Sequence, residues 1–153
     1  MTTTTHEATE NELVSISGNV ILDSNVPDAG AVVLLLPDPP SELRRQDPSL
    51  IHPSSFEPLE NPTIDWIRKL GGTVVRTNID GVFEIFSKPG TYNLLVISKA
   101  ATTGDEAKLS KKQVASISQY FLPVEKLIDR QQFFWKTLSI DDNIEMENIV
   151  FDP

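Results

Sequence analysis

The chain has 153 residues, of which 39% are hydrophobic, and this is enough for one domain with a substantial core. Its 13 basic and 22 acidic side chains give a net charge of −9, which disfavours binding to nucleic-acid phosphates and to anionic lipid surfaces. The absence of cysteine excludes disulfides, thiolate–zinc sites and cysteine nucleophiles.

The first predicted elements are a tail and two strands. Residues 1–11 are polar, which predicts a disordered tail and places the single domain at residues 12–153. Apolar residues occupy every second position from Val14 to Leu22, which is the pattern of a half-buried strand. After a turn, the continuous apolar run Ala31–Leu36 predicts a central strand covered on both faces. This run is too short to cross a bilayer, so we expect membrane contact only through a parent protein.

Residues 37–70 predict a long proline-rich insertion that ends in a short helix. Seven of the 11 prolines lie between residues 37 and 62, and proline removes a hydrogen-bond donor from a strand. Loops of this length commonly carry function. Asn61 and Pro62 are suited to the start of a helix and Gly71-Gly72 to its end.

The next segment predicts three strands joined by tight turns, and therefore an antiparallel meander. The strands are Thr73–Thr77, Val82–Phe86 and Thr91–Ser98, with turns at Asn78–Gly81 and Pro89-Gly90. Within the third strand, Tyr92, Leu94 and Val96 are expected on one face.

Residues 110–130 predict added short helices, and two strands close the chain. Ser110 and Gln113 form a capping-box pattern at the start of a helix expected over Lys111–Phe121, and a second helix is expected from Pro123. The closing strands are predicted at Phe133–Ile140 and Ile144–Phe151.

Four segments together resemble the carboxypeptidase regulatory-like domain, which has a transthyretin-like (prealbumin-type) fold. The segments are Gly18-Asn19-Val20, Pro27–Leu34, Thr77–Phe83 and Pro89–Val96, in the family's order. The resemblance implies an all-β, seven-stranded Greek-key sandwich, to which this chain adds the insertion and the helices. Asn78 stands where the family usually has aspartate.

The resemblance also implies a role and a location. Domains of this family act as non-catalytic accessory modules beside enzymes, receptors or surface anchors. The layout with a late Phe/Trp strand is similar to bacterial proteins of planctomycete type, which implies the extracytoplasmic face of a bacterial membrane protein. Fold alone does not give function, so the site residues have to be considered separately.

The chain offers few residues for catalysis. His6 and His52 are the only histidines, too few for a hydroxyisourate hydrolase, an intradiol dioxygenase or a zinc carboxypeptidase. A hydrolase on this scaffold would need His52 as its base. We therefore expect no enzyme activity and no cofactor. Calcium at Asp80 or Asp141 remains open, although aspartate and asparagine in turns also bond their own backbone.

Four residues are candidates for binding a partner: Trp66 and Arg68 on the predicted helix, and Phe134 and Trp135 in the apolar segment near residue 133. The leading hypothesis is an interaction module of a larger protein or assembly, with a protein as partner. The alternative is a carbohydrate-binding module that uses exposed Trp66 or Trp135. Packing in the core is the competing explanation for both tryptophans.

Overall fold

The computed structural model describes residues 13–22, 26–40, 62–101, 110–122, 124, 127 and 131–151. The predicted tail, most of the insertion, Asn61, His6 and His52 lie outside these residues. The described elements, in chain order, are β1 (Val14–Leu22), β2 (Val26–Pro27), β3 (Val32–Pro37), α1 (Pro62–Lys69), β4 (Thr73–Arg76), β5 (Val82–Ser87), β6 (Gly90–Ala101), α2 (Lys111–Ile117), β7 (Gln131–Ile140), β8 (Ile144–Glu145) and β9 (Ile149–Phe151).

The strands form two sheets, which confirms the all-β prediction. In sheet I, β1 pairs antiparallel with β2 and β5 and parallel with β8 and β9. Sheet II has the order β4-β3-β6-β7 and is antiparallel throughout. Among the described residues, no helix combines the length and the apolar character needed to cross a membrane.

One core lies between the two sheets. Alternate residues of β1, β5, β3 and β6 point into it, as the two-residue period of a strand requires. Its members include Ile16, Val20, Phe83, Ile85, Val33, Leu35, Tyr92, Leu94 and Val96. The predicted shared face of Tyr92, Leu94 and Val96 is therefore confirmed, and it is the face that packs on sheet I.

A second core covers the opposite face of sheet II. It joins the remaining alternate residues of β3 and β6 to the helical residues, among them Leu34, Leu95, Ile64, Ile67, Ile117, Phe121, Val124 and Leu127. Strand β3 is thus buried on both faces, as its unbroken apolar run predicts. The hydroxyl of Tyr120 ties the helical layer to the sheet because it donates to the Pro37 carbonyl at 2.5 Å. Burial of this phenol raises its pKa to about 12.

Helices α1 and α2 form where the sequence predicts them, and the predicted start of the next helix, Pro123, lies outside the described residues. Gly71 adopts φ 95° after α1, and the Gly72 amide donates to the Ile67 carbonyl at 2.9 Å. The capping box at α2 is present, with reciprocal bonds between Ser110 and Gln113 of 2.9 and 3.1 Å. Helix α2 ends at Ile117 and not at Phe121, because residues 118–120 form a turn that directs Tyr120 and Phe121 into the core.

The predicted meander is wrong. Strand β4 pairs with β3 in sheet II, β5 pairs with β1 in sheet I, and β6 returns to sheet II. The turn at Asn78–Gly81 is consequently a crossing between sheets and not a hairpin. Its amides are satisfied locally, since the Asn78 side-chain oxygen accepts from Asp80 and Val82 at 2.9 Å, so no ladder between β4 and β5 is needed.

The C-terminal part of the chain also differs from the prediction. Strand β7 confirms the predicted Phe133–Ile140 and begins earlier, at Gln131. The single strand predicted over Ile144–Phe151 is instead split into β8 and β9. The described residues form nine strands against the seven expected, because short strands such as β2, β8 and β9 each count separately.

Candidate functional site

Two of the sequence motifs meet where the chain crosses between the sheets. The hydroxyl of Thr77 donates to the Asp28 carbonyl at 2.5 Å and accepts from the Ala31 amide at 2.9 Å. Thr77 is only 5% exposed, so these groups are largely shielded from bulk water. The Gly81 carbonyl accepts from the Val20 amide at 2.7 Å. The crossing is therefore fixed by buried hydrogen bonds, and we assign it a structural role.

Asp28 is the buried carboxyl group at this crossing. Its side chain is 2% exposed and accepts a 2.6 Å hydrogen bond from the Ser98 hydroxyl. Burial raises the pKa of Asp28 above its usual value, although the bonds from Ser98 and from the Lys99 backbone and the charge of Lys99 act in the opposite direction. An acid with a raised pKa in the folded state lowers stability once it ionises.

We predict that Asp28→Asn changes how stability depends on pH. Because the folded protein holds the Asp28 proton more tightly than the unfolded chain, wild-type stability falls as pH rises from 3.8 through the raised pKa. Asparagine does not titrate, so the free energy of unfolding of the variant rises relative to that of wild type over this pH range, by about 1.4 kcal/mol per unit by which the Asp28 pKa is raised. Urea unfolding at acidic and neutral pH measures this, with the exposed Asp80→Asn as control for lost charge. The prediction would be contradicted if Asp28→Asn became less stable relative to wild type between acidic and neutral pH.

A different region, at one side of the sandwich, offers a surface for binding. Strand β7 is the last strand of sheet II, and among the described strands none pairs with it on the side away from β6. Strands β8 and β9 line the neighbouring border of sheet I. The two sheets end beside each other here, and the partly buried side chains of Phe134, Ile144 and Met146 pack against the edge of the core between them. We call this border the seam.

The chain between β8 and β9 contains a bulge. Glu145 pairs with Ser17 and Ile149 with Val20, so three residues on this side oppose two on β1. The extra residue interrupts the parallel ladder. Glu147 and Asn148 are exposed there, whereas Met146 is partly buried against the core. The bulge is held by the Met146 amide, which donates to the Ser17 carbonyl at 2.8 Å. Residues 145–148 form what we call the acidic ridge.

The acidic ridge separates two concavities. The first, the seam cleft, has a volume of about 370 Å³ and lies between the ridge and β7. Its lining is apolar in Phe134, Leu138, Ile144, Met146 and Ile149 and charged at Lys136 and at the two ridge glutamates. The second, of about 360 Å³, is more polar and adjoins Gly18 and Asn19. The side-chain amide of Asn19 donates to the side-chain oxygen of Asn148 at 3.3 Å across this hollow.

Charge in the seam is predominantly negative. Glu145 and Glu147 line the cleft, and Asp141 and Asp142 are exposed on the turn that leads to β8. Among the described residues that line the cleft, Lys136 is the one that is basic, and residues 137–153 contain no lysine or arginine. Lys136 lies on the same face of β7 as Phe134 and Leu138, lines the cleft with them and is itself exposed.

The four candidate residues lie in different places. Trp66 is 6% exposed and packs edge-on against Phe121 at 6.3 Å, so its ring belongs to the helical core and not to an open surface. Trp135 is half-buried against the same core. Arg68 is exposed in the last turn of α1. Only Phe134 reaches the seam cleft, on the opposite face of β7 from Trp135.

The ridge residues Glu145, Met146 and Glu147 were not predicted as site residues. The sequence offered one signal for them, because the residues after Lys136 include several aspartates and glutamates and no lysine or arginine. The bulge itself depends on where β8 and β9 pair with β1, which the local sequence does not specify.

In both turns considered for calcium, side-chain oxygens accept hydrogen bonds from backbone amides. The Asn78 side chain accepts two backbone amides, as described above. The Asn143 side-chain oxygen accepts from the Ser15 amide at 2.9 Å, and Asp142 accepts from the Asn143 amide at 2.8 Å. In the part of the chain that the structure describes, no three acidic or histidine side chains are grouped so that they could hold a metal ion. The bonds of Asn78 and Asp142 are of the kind that aspartate and asparagine make to their own turns.

No protein-family model matches this chain, and no curated protein matches it either.

Proposed function

We propose that this chain is a non-catalytic interaction module with a prealbumin-like Greek-key sandwich, and that it binds a protein partner at the seam. The observation that carries the proposal is the seam cleft: an apolar concavity with charged walls, placed where both sheets end. A cleft at this border is open to a partner without any rearrangement of the core.

Individual motif residues support the prealbumin-like part of the proposal. Gly18 leaves room for the Phe83 ring, which would lie 2.8 Å from a Cβ at that position. Thr77 and Gly81 fix the crossing between sheets. Gly18, Thr77 and Gly81 therefore each have a structural role in joining the two sheets or packing between them. We propose the same accessory role, within a larger bacterial protein at the extracytoplasmic face, on the basis of this resemblance.

The carbohydrate-binding alternative has less support. A sugar-stacking platform needs an exposed aromatic face. The ring of Trp66 lies in the core, and Trp135 packs partly against the same core, so the two rings do not form an open platform. An apolar cleft beside β7, whose outer edge has no partner among the described strands, fits a polypeptide better.

Selection of peptides from a displayed library of random linear sequences tests the proposal. We expect enriched peptides to shift the backbone amide signals of Phe134, Leu138 and Met146 most strongly. Lys136→Trp, which fills the cleft mouth, should weaken their binding at least about tenfold, as expected for loss of a central contact. The exposed Lys69→Trp on α1 is the control and should change little.

Three outcomes would count against the proposal. These are failure of any peptide to enrich, shifts centred outside the seam, and equal loss of binding in both tryptophan variants. Binding from a panel of polysaccharides without peptide enrichment would instead favour the carbohydrate alternative.

A further inference from the structure

Strand β7 is the last strand of sheet II, so its outer edge lies at the seam and suits an extended segment as the binding partner. An edge strand exposes amide and carbonyl groups that can accept another strand. On β7, Phe134, Lys136 and Leu138 line the cleft at every second position. A segment that extends along β7 would therefore place alternate side chains into the cleft and bond its backbone to the edge.

The negative charge of the seam favours a positively charged binding segment. Glu145 and Glu147 on the ridge and Asp141 and Asp142 on the preceding turn oppose the single ammonium of Lys136. The whole chain carries a charge of −9. An approaching basic segment is attracted, and an acidic segment is repelled.

The same charges disfavour a second copy of this chain as the occupant. A symmetric pair formed through β7 would bring two acidic ridges towards each other.

We infer, on the basis of the proposed function, that the seam accepts a basic, extended segment of a partner protein, which adds to β7 as a strand. Its apolar side chains enter the cleft beside Phe134 and Met146, and its lysine or arginine side chains lie against Glu145 and Glu147. Apolar contact and backbone bonds provide affinity, and the ridge selects for positive charge.

Fluorescein-labelled peptides of about six residues, the common length of a strand, test the inference. One alternates lysine with valine, a second alternates glutamate with valine, and a third alternates lysine with serine. Fluorescence anisotropy at physiological ionic strength measures the dissociation constants, because charges farther away than about 8 Å are then largely screened. We expect the lysine–valine peptide to bind most tightly and the glutamate–valine peptide to bind weakest.

Variants of the full chain then locate the charge effect. Glu145→Gln with Glu147→Gln should raise the dissociation constant of the lysine–valine peptide about twofold to thirtyfold, as expected for two exposed ion pairs. Lys136→Gln should lower it, by about twofold to fivefold. The matched controls are Asp65→Asn with Asp80→Asn, and Lys111→Gln, which remove the same charges from exposed positions elsewhere.

Backbone methylation tests strand addition. Alternate amides of an added strand face its neighbour, so two lysine–valine isomers that are N-methylated at odd or at even positions should differ. One isomer should lose binding while the other retains it.

The inference fails if glutamate–valine binds as well as lysine–valine, if the control variants change binding as much as the seam variants, or if both methylated isomers bind alike. Library peptides of another composition that still shift the seam amides would overturn the inference and leave the proposed function intact. Absence of any peptide binding at the seam would overturn both.

Discussion

Replacing Gly81 by alanine should destabilise the protein by about 2–5 kcal/mol, with about 1–2 kcal/mol from the left-handed backbone and about 1–3 kcal/mol from overpacking. Gly81 has φ 74°, where a side chain is unfavourable. A Cβ at this position would lie 2.4 Å from the Val20 carbonyl oxygen and 3.2 Å from the Asp28 nitrogen. Both contacts are with backbone, so no side chain can move aside. The added methyl group must displace the hydrogen bond between these two residues, which is 2.9 Å long.

Gly71→Ala is the matched control. Gly71 also has a positive φ, 95°, but a Cβ there would have no atom within 4 Å. Its substitution should therefore report the backbone cost alone, about 1–2 kcal/mol. Urea unfolding followed by tryptophan fluorescence measures both variants. Equal losses of stability would show that close approach of β1 to the crossing is not what requires glycine at position 81.

Those parts of the fold that depend on local chemistry were predictable from the sequence. The alternation in β1, the unbroken apolar run of β3 and the capping box of α2 each specify a local conformation, and the structure confirms them. The turn at Asn78–Gly81 was also predicted, because asparagine and glycine there satisfy amides and permit positive φ.

The pairing of strands was less predictable, because a short turn is compatible with two arrangements. The same Asn78–Gly81 turn could close a hairpin or carry the chain to the other sheet. What decides between them is the long-range bonding of Thr77 to Asp28 and Ala31. No local pattern reports those contacts, and so the meander was expected where a crossing exists.

The site shows the same division between local and long-range information. The sequence does not show whether the Trp66 ring is exposed or buried. The structure shows it in the helical core, where it packs against Phe121. Phe134 was identified as a candidate from the apolar segment, and it lines the seam cleft. The ridge beside it exists because Glu145 and Ile149 pair with β1 out of step by one residue. That offset is a tertiary property, although the acidic composition of the ridge is visible in the sequence.

Replacing Thr77 by valine should cost about 2–5 kcal/mol, because valine keeps the shape and the branched Cβ of threonine but removes its two buried hydrogen bonds. The Asp28 carbonyl and the Ala31 amide would each lose a partner in a region where both residues are almost fully buried. Thr91→Val, at an exposed position of β6, is the control and should remain within about 0.5 kcal/mol of wild type. Urea unfolding compares the two. Similar stabilities would mean that the sheet crossing depends on Gly81 and the surrounding apolar contacts, with Thr77 contributing only its shape.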